Sequence, residues 1–300
     1  MTVRSDPTPD ASATIDEADG STERAEFRGS PGERVFSYLH LPASAPRGAV
    51  VVCSPLHGEF ARNYRREVLL ARALAEAGQA VLRFHYRNTG HSDGDGIALT
   101  FDSMREDALA GVERLTAEVP EVPLTLVGTR WGALIAASAA AQHPGAAVAM
   151  WEPLSTASRF FKDAFMSRRV REMRRGVTAS TDQELEGRLA AGEGVDVVAH
   201  RLEPALFRSS VDRTLDGELG SEPRRMLVLQ VGPTATVRPD VARLLPRWEA
   251  SGLRVDARAL QGEETWWLIE EEYVNEGGRS ITRELVELTT AWISTPEAGA

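Results

Sequence analysis

Leu124-Thr125-Leu126-Val127-Gly128-Thr129-Arg130-Trp131-Gly132-Ala133-Leu134-Ile135-Ala136-Ala137 is the stretch on which the fold turns. Four strand-forming residues run into Gly-x-x-x-Gly, and the second glycine opens a run that is apolar nearly all round, the mark of a buried helix. Glycines at that spacing are common by chance. Between a strand and such a helix they specify a sharp turn whose middle residue is strained and pushed out above the sheet, with glycines where backbones crowd together. Arg130 is that middle residue.

The same alternation extends in both directions. Upstream, Ala49-Val50-Val51-Val52 and Ala80-Val81-Leu82-Arg83-Phe84 read as buried strands, separated by a helix over 64–77 that carries Val68, Ala71, Leu74 and Ala75 at helical spacing and stops at Gly78. Phe101, Met104, Ala108, Val112 and Leu115 share one face of a further helix. Downstream, strands are expected over 146–151, 226–231 and 253–260, with helices over 238–250 and 279–294. Strand, helix, strand in succession predicts an α/β fold with a mostly parallel central sheet flanked by helices. Residues 34–41 alternate apolar and polar before a turn over 42–47, which predicts an edge hairpin leading into the strand at Ala49.

Two segments read differently. Residues 1–27 are rich in Ser, Thr, Asp, Glu, Pro and Ala and nearly lack large apolar side chains, so a disordered tail is expected. Over 154–222 the periodicity loosens, and Arg168, Arg169, Arg171, Arg174 and Arg175 crowd beside Phe160, Phe161 and Phe165. This predicts an inserted helical cap between the two parts of the core, 28–153 and 223–300. The arginines read as its solvated face, with Phe161, Phe165 and Met173 on the apolar side.

Composition narrows the function classes. A net charge of −10 over 300 residues disfavours nonspecific attraction to nucleic acid or anionic membrane surfaces. Cys53 is the only cysteine, which excludes an intrachain disulfide and a multi-cysteine metal site. The N-terminus is acidic and polar, and no stretch reaches the ~18 apolar residues of a membrane span, so a cytoplasmic protein without membrane association is expected. No paired His/Glu spacing of the zinc-site kind occurs, and neither metal nor cofactor is expected.

With the elbow in place, the chain resembles the α/β-hydrolase superfamily from about Glu33 to Ile293. Cys53-Ser54-Pro55-Leu56-His57-Gly58 is similar to its His-Gly oxyanion loop. Residues 83–95, Arg83-Phe84-His85-Tyr86-Arg87-Asn88-Thr89-Gly90-His91-Ser92-Asp93-Gly94-Asp95, are similar to the Asp-x-Arg-Gly-x-Gly-x-Ser turn of serine-aminopeptidase-like and exosortase-associated members. His85, Asn88 and His91 depart from it. The resemblance implies a nucleophile, an acid and a histidine, in that chain order. Arg130 stands in the nucleophile position, and a guanidinium that stays protonated to about pH 12 and beyond cannot attack a carbonyl. The acid loop reads Gly232-Pro233-Thr234-Ala235, and the histidine segment reads Gly262-Glu263-Glu264-Thr265-Trp266-Trp267. No histidine follows His200, and the triad reads as degenerate.

A cation at a helix N-terminus opposes the macrodipole and calls for a negative partner. Glu152, just beyond the next strand, is the internal carboxylate expected to pair with Arg130. The alternative is a bound carboxylate or phosphate, clamped by Arg130 with backbone N–H groups of Trp131 and the Leu56-His57-Gly58 loop. His57, His85 and His91 fall on loops at the same end of the sheet, where Glu59, Asp93 or Glu152 could complete an acid–base site. Three readings stand. The first is a non-hydrolytic pseudoenzyme binding an anionic or acyl small molecule or a partner protein. The second is a cyclase, lyase or transferase of specialised metabolism using Arg130, His57, His91 and Glu152. The third is a residual hydrolase with an unusual nucleophile such as Ser54 or Ser92.

Overall fold

The computed structural model describes residues 2–5, 12–198, 200–269, 278 and 280–295. Four strands come first: β1 (Thr2–Ser5), β2 (Ser12–Asp16), β3 (Thr22–Arg28) and β4 (Val35–Leu41). An alternating part follows, with β5 (Gly48–Cys53), α1 (His57–Glu76), β6 (Gln79–Phe84), α2 (Phe101–Glu118), β7 (Leu124–Thr129), α3 (Trp131–Ala140) and β8 (Ala147–Trp151). Then come α4 (Ala157–Arg174), α5 (Asp182–Ala191), the short strands β9 (Val195–Asp196) and β10 (Arg201–Leu202), α6 (Pro204–Ser210) and α7 (Leu215–Glu218). The core resumes with β11 (Arg225–Gly232), α8 (Pro239–Ala242), α9 (Leu245–Ala250), β12 (Arg254–Gln261) and α10 (Ile281–Ser294).

Among the described residues the main sheet runs β1-β2-β3-β4-β6-β5-β7-β8-β11-β12. It is antiparallel as far as the β4–β6 pair and parallel from β6 onward. The parallel strands read as unbroken apolar runs because both faces are covered. On β5, Val50 and Val52 join the cluster containing Leu70 and Leu74 of α1 and Leu285 of α10, whereas Ala49, Val51 and Cys53 join the one containing Met104, Ala108 and Leu134 of α2 and α3.

Several expectations need correction. The edge hairpin over 34–52 is not formed: β4 lies between β3 and β6, and β5 sits on the far side of β6. The helix expected from 64 begins at His57, about two turns earlier, which brings Glu59 and Asn63 onto it. The helix expected over 238–250 is interrupted after Ala242 and restarts at Leu245. Pro246, within the first turn of α9, lacks the N–H and the space that an uninterrupted helix needs.

The largest correction concerns the disordered tail expected over 1–27. Residues 2–5, 12–16 and 22–27 lie in strands, and Thr22–Arg28 pairs with β4 along its whole length; residues 1 and 6–11 lie outside the described ones. Apolar content missed β3 because its inward side chains are carboxylates. Glu23 takes Arg72 at 2.7 Å and His40 at 3.3 Å, and Glu26 takes Arg114 at 2.8 Å. The His40 and Arg72 contacts hold the Glu23 carboxyl down at about 2, His40 contributing most. Removing residues 1–28 is therefore expected to expose the β4 edge, unpair Arg72 and leave Arg114 with Glu118 alone. The melting temperature should fall by about 5 °C or more. An unchanged melting temperature and unchanged light scattering would refute a structural role for these strands.

Candidate functional site

The turn after β7 has the geometry its glycines foretell. Arg130 sits at φ 54° and ψ −113°, a strained conformation for a side chain with a Cβ, and its N–H donates to the Trp151 carbonyl at 2.8 Å. A Cβ on Gly128 would lie 2.3 Å from the Gly132 carbonyl oxygen, and one on Gly132 would lie 2.0 Å from that of Cys53. Neither position admits another residue without moving backbone.

Arg130 is nearly fully buried and already committed. Its Nη2 donates to Glu59 at 3.0 Å and to Asp163 of α4 at 2.7 Å, its Nε lies 3.3 Å from both Glu59 oxygens, and its guanidinium carbon stacks 4.2 Å from the Trp267 ring centre. Asp163 in turn accepts from Arg159 at 3.0 Å. Two cations thus meet two carboxylates, and the cluster is neutral without an added anion. Burial pushes the Glu59 carboxyl up, and the Arg130 charge offsets part of that.

Glu152 is not the partner of Arg130. Fully buried, it accepts from the Val231 N–H, from Trp266 Nε1 at 3.2 Å and from the Arg238 guanidinium. Its backbone, at φ 49°, turns it along β11, whose Leu229 carbonyl accepts from the Glu152 N–H. Adjacency in sequence to a strand end put Glu152 at the right end of the sheet but could not say which guanidinium it meets.

A cavity of about 400 Å³ lies beside Arg130. Its apolar wall includes Leu56, Phe160, Val197 and Trp267, and Gly58 and Thr265 also line it. Leu56 and Gly58, from the segment after β5, thus lie on one cavity with Arg130. The Trp131 side chain does not reach this space: it is fully buried among Phe101, Phe160 and Phe161. Ala235 is exposed on the loop after β11.

The histidines fall into two pairs, His57 with His200 and His85 with His91. His57 begins α1 and stacks on His200 with ring centres 4.2 Å apart and planes within 11°. Burial pushes the two imidazoles down to about 3 and about 4, so both are neutral near pH 7. His85 is buried, accepts from the His91 N–H at 2.9 Å and is pushed down to about 3 by burial. His91 is exposed and packs on Phe36 and His85, away from Arg130. Asp93 is held by Arg34 at 2.9 Å. Asp163, His200 and Trp267 were missed from sequence; they come from α4, from beside β10 and from the segment after β12, where spacing carries no information about Arg130.

Beneath the loop, Ser54 Oγ donates to Glu67 Oε2 at 2.7 Å, and burial pushes the Glu67 carboxyl up to about 7. The folded state keeps this proton to about pH 7, whereas an unfolded glutamate releases it near its ordinary value of 4.5. Between those values the folded chain binds more protons, so stability falls as pH rises through the window. Glu67→Gln is expected to remove about 3 kcal/mol of that pH dependence. Parallel urea titrations at acid and neutral pH measure it, and an unchanged slope would count against a raised Glu67.

Sheet order, elbow and two-faced cover together define an α/β-hydrolase-fold protein. Residues 44–173 match the family model described as serine aminopeptidase, S33. No curated protein matches the chain by sequence. Among solved structures it is similar to Est1E from Butyrivibrio proteoclasticus with ferulic acid bound, at 15% identity over 90% of this chain and 99% of that one, TM-score 0.64. It is also similar to a thermostable carboxyl esterase from Bacillus coagulans in complex with glycerol, at 15% identity, 90% and 97% coverage and TM-score 0.54. A serine hydrolase homologue from Coxiella burnetii follows at 14% identity, 90% and 96% coverage and TM-score 0.52. Among the described residues no helix is long and apolar enough to cross a membrane, and no cluster of three His, Cys, Asp or Glu could hold a metal ion.

Proposed function

We propose that this chain is a non-hydrolytic α/β-hydrolase-fold protein that binds a small acyl molecule in the cavity beside Arg130. One observation carries the reading: the elbow position holds a guanidinium already ion-paired with Glu59 and Asp163 through Nε and Nη2, so it offers no nucleophile and its charge is met within the fold. Of the anionic and acyl ligands compatible with the sequence, the acyl class is the one the wall of Leu56, Phe160, Val197 and Trp267 suits. The degenerate triad belongs to the same reading, with Arg130, Ala235 and Thr265 standing at the three catalytic positions. Methyl octanoate at a hundredfold excess over its dissociation constant is expected to stabilise the protein by about 2.7 kcal/mol and to be recovered intact. No shift in melting temperature across medium-chain acyl esters, amides and thioesters would refute the proposal.

A second reading, hydrolysis from Ser54, is favoured by the Ser54–Glu67 contact, which supplies a base, and by the esterases among the similar structures. It requires slow ester turnover that disappears in Ser54→Ala and in Glu67→Gln.

A further inference from the structure

A second cavity, of about 350 Å³, lies next to the first. Leu56 and His200 line both, and His57 faces the second together with Ser54, His85 and Asn88. His57 is held between Phe160, 6.0 Å away on one side, and His200 on the other, so the imidazole pair stands where the two spaces meet.

That pair is unusual in its hydrogen bonding. His57 Nε2 and both ring nitrogens of His200 are buried and have no hydrogen-bond partner among the described residues. Buried ring nitrogens normally find partners, because leaving them unpaired costs free energy. Three such atoms on two stacked rings, at the junction of two cavities, point to a group that would complete them. A neutral imidazole presents one donor and one acceptor. The matching group therefore offers both kinds. An anionic head group fits poorly in the second cavity: its one arginine among the described lining residues, Arg201, is paired with Glu203 at 3.1 Å, and Arg130 in the first is committed to Glu59 and Asp163.

We propose that His57 and His200 form a head-group subsite for an uncharged polar group with both donor and acceptor, a carboxamide or hydroxyl, on a ligand whose acyl chain lies in the cavity beside Arg130. This rests on the acyl-binding reading above and names the chemistry of the ligand's other end. Burial keeps both imidazoles neutral, so the preference should hold across the neutral pH range.

The test is calorimetric titration with octanamide, methyl octanoate and sodium octanoate. Octanamide is expected to bind about tenfold more tightly than either of the others. His200→Phe keeps the stack and deletes the nitrogens, and it should bring the octanamide-to-methyl octanoate affinity ratio to about one. Equal affinities in the wild type, or a ratio untouched by His200→Phe, would overturn the head-group subsite while leaving the acyl cavity standing. No binding of any probe would overturn both. If His200→Phe does not fold, imidazole nitrogen resonances of the wild type serve instead: octanamide must shift those of His57 and His200, and unchanged resonances overturn the proposal.

Discussion

Purified protein is expected to hydrolyse p-nitrophenyl butyrate no faster than a heat-inactivated control. In a serine hydrolase, loss of the nucleophile or its histidine costs about a millionfold in kcat. Here the elbow presents Arg130, and on the proposed reading Ala235 and Thr265 stand at the acid and histidine positions. Arg130→Ser alone should not restore turnover, because a serine without a base to take its proton remains a weak nucleophile. The same substitution would leave Glu59 and Asp163 facing each other without their shared cation, so the variant's fold must be checked alongside its rate. Wild-type turnover well above the control, abolished by Ser54→Ala, would replace the binding reading with hydrolysis from Ser54.

The second large effect is on stability. Glu59→Gln keeps the shape of the side chain and removes the charge that Arg130 meets at 3.0 Å. The guanidinium then retains Asp163, which is about a third exposed and also serves Arg159. Breaking one side of a buried pair typically costs about 3–5 kcal/mol, and the lower end is expected because Asp163 remains. The double variant Arg130→Met with Glu59→Met should recover most of the loss, to within about 1 kcal/mol of wild type, since apolar residues of similar volume often replace a buried ion pair without penalty. The pliable thioether at 130 can also pack on Trp267, where the guanidinium now stacks. Urea denaturation of the three proteins measures this. A Glu59→Gln variant within about 0.5 kcal/mol of wild type would mean that the ion pair is not what holds Arg130. Arg130→Met should not disturb Glu152, whose partner is Arg238.

The contrast between Glu59 and Glu152 shows where sequence reasoning stops. The parallel strands β5, β6, β7 and β11, the helices that cover them and the elbow were all legible, because each is written in a few consecutive residues. A strand buried on both faces must be apolar at every position, and a turn that crowds Gly132 against Cys53 must be glycine. Ion-pair partners obey no such local rule. Glu59 and Asp163 lie 71 and 33 residues from Arg130, and any carboxylate at that end of the sheet would have served equally well on paper. Which one arrives depends on α1 starting at His57 and on where α4 comes to rest. β3 was hidden for a related reason: its inward positions are glutamates, and their burial makes sense only once Arg72, Arg114 and His40 are seen to meet them. The amino-acid sequence by itself determined the scaffold and placed a cation at its elbow. Only the tertiary structure decided that this cation is spent within the fold, because charge is satisfied by proximity in space whereas strands, helices and tight turns are specified by neighbours along the chain.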